Sequence, residues 1–489
     1  MFSLQKNQLP HVQTKLFING EWTTGKEGMK DVLNPATGEV VAQVAQGGEL
    51  ETKEAIQAAK NAFPKWRAKE LSERVQILRK ISQLLEEKAD DLAKIMTLEQ
   101  GKPLKEAKGE VLSGAATFLF AAEEARRLYG ERIPAPNGHT YIVKKEPIGV
   151  VGAITPWNFP SGMATRKMAP ALAAGNTLVL KPSSDTPLSA IAVFEIFEEA
   201  GLPKGVANLV MGDSKIIGGT LTASDDVRKL TFTGSTAVGQ KLFEQSGETL
   251  KKISLELGGH APFIVFEDAD LESAADYLVA AKFRNNGQVC VSPNRIFVQK
   301  SIKEAFTKLV VEKVRALKVG NGLEDVDAGP LIRADAIDKI LEQLEDAKTK
   351  GAKILLGGKR LTGAAYDNGF FFMPTVLDDV TQKMTIFYEE TFGPVIPLIT
   401  FETDDEAIQM ANDCEFGLAS YFFTKSVARV EEVSDQLEYG MVGVNEIAIS
   451  NPEAPFGGVK HSGFGRENGH YGLEEYIQVK FVNLNYGKA

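Results

Sequence analysis

Residues 149–181, GVVGAITPWNFPSGMATRKMAPALAAGNTLVLK, decide the fold. GVVGAIT is a short β-branched run, the stretch after NFPSG reads as a helix, and NTLVLK is a second apolar run too short for a helix. A strand, a helix and a strand in so little chain form the unit of a parallel sheet, because parallel neighbours require a crossover.

The alternation continues downstream. A helix opens at Asp185-Thr186-Pro187, and ANLVMG, a helix, VRKLTF, another helix and KISLEL follow. A second series runs through PFIVF, a helix from Leu271 to about Asn285, RIFVQ, helices from Ile302 and Ala334, KILLGG, PLITF, SYFFT and MVGVN. This order predicts an α/β protein with two doubly wound parallel-sheet domains. Upstream, Leu50 to about Tyr129 reads as successive amphipathic helices. One example is ERVQILRKISQLLEEKADDLAKIM, whose apolar residues recur every three or four positions. His139 to Thr155 reads as strands crossing a turn at Pro147 and Gly149. The tail, YIQVKFVNLN, reads as an edge strand that pairs either with another subunit or with its own domain.

The 489 residues are 43% hydrophobic and 25% charged, enough to bury large cores in two or more domains. A net charge of -10 without a long Lys/Arg run argues against nucleic acid as a partner. No stretch approaches the ~18 uninterrupted apolar residues of a membrane span, and the N-terminus has no secretory pattern, so a cytoplasmic protein is expected. The five histidines show no metal-ligand spacing, and the two cysteines, Cys290 and Cys414, cannot form a disulfide framework. No metal is expected.

Four places carry candidate chemistry. Cys290, in FRNNGQVCVSPNR, lies at a helix–loop junction beside Gly287, where a thiol is either an exposed nucleophile or a small buried hydrophobe. Cys414, in NDCEFGLA, fits the buried alternative better. Glu256, in SLELGGH, ends a strand at the crevice edge of an open sheet, where it either activates water or is a solvated or capping carboxylate. The paired glycines after it imply a close backbone approach. Asn158, in TPWNFP, either donates to an oxyanion or makes an Asx-turn. No G-x-G-x-x-G occurs, but LTFTGSTAVG (residues 230–239) is a strand, a tight turn and a helix whose amino end can face phosphate, with Lys181 at the neighbouring strand terminus.

Taken together and in order, TPWNFP, LVLKPS, FTGS, LELGG, GQVC, EETFGPV and PFGGVKHSGFGRE resemble the aldehyde dehydrogenase superfamily over essentially the whole chain. The resemblance implies NADP or NAD as cofactor and a small-molecule aldehyde as substrate, with Cys290 as nucleophile and Glu256 as general base. Asn158, with the Cys290 N–H, would form the oxyanion hole. It implies a cofactor site of Thr155, Pro156, Trp157, Lys181, Ser184, Phe232, Thr233, Gly234, Ser235 and Leu257, with Glu390 and Phe392 beside the nicotinamide ribose. Ser184 stands where members preferring NAD often carry Glu. A neutral hydroxyl beside Lys181 leaves room for a 2′-phosphate, so NADP is expected to be accepted and preferred.

Within the superfamily the nearest branch is the succinate-semialdehyde dehydrogenases, to judge by Arg166, Arg284 and Ser450, which with Phe159 would hold the substrate. A guanidinium can clamp a far carboxylate bidentately. The alternatives are a broad-specificity dehydrogenase in which both arginines are ordinary ion pairs, and a retired relative keeping only the fold. Three positions depart from the branch: Ser292 replaces a second cysteine, so no active-site disulfide switch is expected; the segment VSPNR differs; and His260 follows LELGG. The likeness further implies a cofactor domain of residues 1–129 and 148–256, a catalytic domain of 257–455, and a bridging element of 130–147 and 470–489 that makes homodimers or homotetramers.

Overall fold

The deciding segment forms Val150–Ile154, the helix Gly162–Ala173 and Thr177–Lys181, the two strands pairing in parallel from Val150 opposite Thr177 to Ile154 opposite Lys181. These come from a computed structural model that describes residues 8–487; the readings at residues 1–7 and 488–489, at the outer ends of the expected cofactor and bridging units, lie outside the described residues.

Ala207–Leu209 continues the sheet beyond Thr177–Lys181, while Val227–Thr233 and then Lys252–Glu256 extend it on the other side of Val150–Ile154. The chain therefore winds outward in both directions from Val150–Ile154, and such a reversal opens a crevice at the carboxyl ends of the strands. Two N-terminal strands, Leu16–Ile18 and Glu21–Thr23, extend one edge antiparallel, and Gly463–Phe464 closes the other against Lys252–Glu256. No strand was expected at either edge. Pieces of two or three residues are too short for alternation to show.

The helical shoulder consists of Glu49–Ala68, Leu71–Glu87, Ala89–Gln100 and Leu104–Glu124. Its spacing works as read: Val75, Leu78, Ile81 and Leu85 form one buried stripe that packs into the core of the first sheet. Gly101, at φ 95°, ends Ala89–Gln100 in the left-handed conformation that glycine adopts most readily.

The second sheet has the order Lys353–Leu356, Thr375–Asp378, Val395–Phe401, Pro293–Gln299, Ala261–Val265, Ala419–Phe423 and Met441–Val444, parallel except for the first strand. Its central strands are covered on both faces, which is why they read as unbroken apolar runs. The helix before Cys290 ends at Phe283, short of the expected Asn285, because Asn285 and Asn286 turn left-handed at φ 46° and 54°.

The tail strand Ile477–Asn485 pairs antiparallel with His139–Pro147 of its own chain, through nine successive residues. Glu131–Ile133 lies on the far side, so the tail is the outer strand of a three-stranded sheet, with Val479 and Phe481 exposed.

Candidate active site

A cavity of about 800 Å³ occupies the crevice at the carboxyl ends of the first sheet. Thr155, Pro156 and Trp157, which follow the central strand, line it, as do Lys181 and Ser184 on one side and Phe232, Thr233, Gly234 and Ser235 on the other. Lys181 and the TGS turn are not neighbours, as the sequence suggested; they flank Val150–Ile154. A side chain at Gly234 would meet the Phe232 ring at 2.4 Å, so the turn is tight for a steric reason. The helix Thr236–Gly247 starts immediately after it.

Burial draws the Lys181 ammonium down to about 8, and it donates to Ser214 Oγ at 2.6 Å. Ser184 Oγ donates to Gly212 O at 3.4 Å. The hydroxyls of Thr155 and Thr233 are buried without a protein partner. Unsatisfied hydroxyls, a helix amino end and the buried Lys181 ammonium fit a phosphate-bearing nucleotide. Lys30, Asp213, Lys215 and Arg333 also line the cavity. The sequence does not single them out because they come from three separate stretches with no motif.

Leu257, Glu390 and Phe392 lie outside this lining. Leu257 is buried against Gly239, where an added side chain would meet it at 2.4 Å. Phe392 stands edge-on to Trp157, ring centres 5.6 Å apart. Glu390 Oε1 accepts from Gly259 N at 3.1 Å, and burial lifts its carboxyl to about 7 despite that bond and the nearby Lys339 and Lys282.

Beyond Trp157 the three candidate reacting groups converge. Asn158 is 4% exposed, and its Nδ2 donates to Gln288 O at 2.9 Å, across to the Cys290 loop; Pro160, two residues on, has no N–H for its Oδ1 to accept, so it makes no Asx-turn. The other amide N–H has no partner among the described residues. Gly287, at φ 78°, is there for space as well as conformation: a side chain would strike Gly393 O at 2.2 Å. Gly259 presses likewise on Cys290 O, at 2.2 Å from an added carbon, which is the close approach that the paired glycines implied.

Cys290 keeps partial solvent access. Burial pushes its thiol up to about 12; Arg166 opposes this, while Glu390, Glu256 and Glu467 add to it. Glu256 is 3% exposed and neither carboxyl oxygen has a protein partner, so it is neither solvated nor a cap. Burial, reinforced by Glu467, holds this carboxyl well above the usual range against the pull of Lys167, Arg166 and Arg466. Gly457 is required beside it, since a side chain there would lie 2.8 Å from Glu256 Oε1.

Arg166 and Ser450, 284 positions apart, meet: Nη2 donates to Ser450 Oγ at 2.5 Å. The guanidinium also stacks 4.4 Å over the Phe456 ring, and Nη1 lies 3.8 Å from Glu467 Oε2 with no hydrogen-bond partner. Arg284 is exposed, enters no ion pair among the described residues, and lies 5.0 Å over Phe159. Phe159, Met163 and Val289 form a small apolar wall with Val291. Arg166 thus faces Glu467 at the outer limit of an ion pair while Nη1 keeps no hydrogen-bond partner among the described residues, and Arg284 pairs with no carboxylate among them. His260 is buried with Nε2 2.9 Å from Phe387 O, and burial and Arg295 hold it neutral.

Two buried ion pairs behind the site leave no mark in the sequence. Lys167 Nζ reaches Glu467 Oε1 at 2.6 Å, and Lys102 Nζ reaches Glu110 Oε2 at 2.5 Å. Lysines are ordinarily solvated, and Lys102, in the turn GKP, had every appearance of one.

Comparison with known proteins agrees with this geometry. Residues 22–482 match the sequence model of the aldehyde dehydrogenase family. Glutarate-semialdehyde dehydrogenase of Pseudomonas putida is 51% identical, over 96% of this chain and 97% of that protein. The NADP(+) succinate-semialdehyde dehydrogenase of Escherichia coli K12 is 50% identical, over 95% and 96%. The crystal structure of succinate-semialdehyde dehydrogenase from Burkholderia pseudomallei superposes with a TM-score of 0.95 at 48% identity, covering 97% of this chain and 98% of that one. The chain therefore belongs to the aldehyde dehydrogenase family and is an NAD(P)-dependent aldehyde dehydrogenase.

Proposed function

We propose that the substrate is a short aldehyde with a carboxylate at its far end, succinate semialdehyde or its one-carbon-longer homologue, oxidised with NADP in preference to NAD. The observation that carries the reading is Arg166: a largely buried guanidinium, hydrogen-bonded to Ser450, with an unpartnered nitrogen and close enough to Cys290 to act on its charge. A buried donor without a partner is costly, and a substrate carboxylate would satisfy it. Arg284, over Phe159, supplies a second cation for the same end. The printed activities of the relatives, on glutarate and succinate semialdehydes, support the same class.

On this reading Cys290 Sγ adds to the aldehyde carbon. The free N–H of the Asn158 amide, with the Cys290 backbone N–H, takes the developing oxyanion. The bound nicotinamide supplies the two-electron acceptor that turns the adduct into a thioester. Glu256 then takes a proton from water, whose oxygen adds to the thioester carbon; collapse frees the acid and returns the Cys290 thiolate. Burial of Glu256 suits it to this work, since a carboxyl held above its usual range is a stronger base than an ordinary carboxylate.

Lys181 and Ser184, with Lys30 and Lys215 at the rim, favour the 2′-phosphate against the nearby Asp185 and Asp213, and position 184 itself carries no carboxylate to repel it. Residues 1–129, of which 1–7 lie outside the described residues, and 148–256 make the cofactor unit and 257–455 the catalytic unit. The free edge of Ile477–Asn485, in the bridging sheet of 130–147 and 470–487, supports homodimers or homotetramers. Light scattering on the purified protein gives the mass that tests this.

The function is tested by steady-state formation of reduced cofactor with succinate semialdehyde, glutarate semialdehyde, propanal and benzaldehyde, each with NADP and NAD, beside Cys290→Ala. The expected result is a kcat/KM for the semialdehydes about tenfold or more above the uncharged aldehydes, lost in the variant. Equal values for all four would discard the carboxylate clamp and leave a broad-specificity dehydrogenase.

A further inference from the structure

The loop that carries Asn158 is held by groups the reaction does not use. We propose that Lys102 and Glu110 are positioning residues: they clamp the backbone of residues 158–162 so that the Asn158 amide stays aimed at the oxyanion. The inference rests on the oxyanion-hole reading above.

Lys102 lies in the turn between Ala89–Gln100 and Leu104–Glu124 and is 1% exposed. Its Nζ donates to Asn158 O at 2.8 Å, pairs with Glu110 Oε2 at 2.5 Å and sits 3.9 Å over the Phe159 ring. The other Glu110 oxygen accepts from Ser161 N at 3.0 Å and Gly162 N at 2.8 Å, at the start of the helix that carries Arg166. Asn285 Nδ2 gives Asn158 O its second donor at 3.0 Å, and lies 3.2 Å from Gln288 O, the carbonyl that Asn158 Nδ2 itself holds. The carbonyl of Asn158 is thus fixed from both the helical shoulder and the Cys290 loop, and its side-chain amide from the Cys290 loop.

Burying an ion pair is a poor way to add stability, since apolar residues of similar volume do as well or better. What apolar residues cannot do is bond a carbonyl in an irregular loop that has no ladder partner. Both donors to Asn158 O are side chains, so the aim of the amide depends on them. A displacement of about 1 Å at a reacting group can cost on the order of a hundredfold in rate.

The test uses Lys102→Met combined with Glu110→Gln, which removes both members of the buried pair, leaves Arg284 as the cation near Glu106, and keeps an oxygen for Ser161 and Gly162. Asn285→Ala serves as a second variant should the first fail to fold. Each is made alone and together with Asn158→Ala. The expected loss is about ten- to a hundredfold in kcat. The KM for the aldehyde and the NADP dissociation constant, measured by calorimetry, stay within about threefold, and the loss disappears in the Asn158→Ala background. A folded Lys102/Glu110 variant with unchanged kcat, or one whose loss multiplies undiminished with that of Asn158→Ala, overturns the inference. If Asn158→Ala alone leaves kcat unchanged, the oxyanion-hole reading fails, and this inference with it.

Discussion

Replacing Arg166 by Ala separates recognition of the far carboxylate from the chemistry at Cys290. The guanidinium side chain is 13% exposed, so its contacts are poorly screened. It keeps one bond to Ser450, and its 3.8 Å separation from Glu467 is too long for a hydrogen bond, so Nη1 is available to a ligand. A charge-assisted contact of this kind contributes about 1.5–3 kcal/mol, and a two-point contact lies at the upper end. The loss for succinate semialdehyde should be about 2–3 kcal/mol, or about 30- to 150-fold in kcat/KM. Propanal has no carboxylate to lose and should change by less than about threefold. Loosening of Glu467 or of the Phe456 contact would affect both substrates alike, so the ratio of the two kcat/KM values is the readout. Arg166→Lys should fall between, since it keeps the charge but not the planar fork. Equal losses for both aldehydes, or none for either, would refute the clamp.

Three further outcomes follow from the same geometry. Glu256→Gln should give one rapid turnover of reduced cofactor and then a steady rate about 10²–10⁴-fold lower, with the acyl adduct visible on intact-protein mass spectrometry; an unchanged steady rate means another base. Ser184→Glu should lower NADP binding about tenfold or more while sparing NAD, read by calorimetry, because a carboxylate would face the 2′-phosphate; parallel losses would place the phosphate elsewhere. In the cofactor-free protein, alkylation of Cys290 by iodoacetamide should rise with pH and still be climbing at pH 10. A thiol pushed up to about 12 gains thiolate throughout that range, so a plateau below pH 9 would contradict its burial.

The sequence carried the parallel sheets because their buried strands are long enough to show as apolar runs, and the helical shoulder because its stripe repeats over several turns. Cys290, Glu256 and Asn158 were individually ambiguous and became legible through the order of the motifs around them. The two edge pieces of the first sheet were not legible, being only two or three residues long and set by pairing with distant chain. Lys102 and Glu110 were hidden for a different reason. Their spacing resembles any solvated helix start, and only the folded chain brings Asn158 O to the ammonium. The break at Asn285 and Asn286 was similarly masked by the helix-like run before it.

The strand Gly463–Phe464 bears on how the protein is made. It completes the edge of the sheet that carries Glu256, and its neighbour Ser462 holds Leu257 N at 3.0 Å, yet it follows Glu256 by about 200 residues. At ~5–20 residues per second a ribosome leaves that edge open for roughly 10–40 s, with the entire second sheet emerging in between. The nascent cofactor half therefore waits with an unpaired strand, exposed to chaperones and to neighbouring chains on the same message. A stop codon before residue 463 would leave both halves present and the first permanently unfinished.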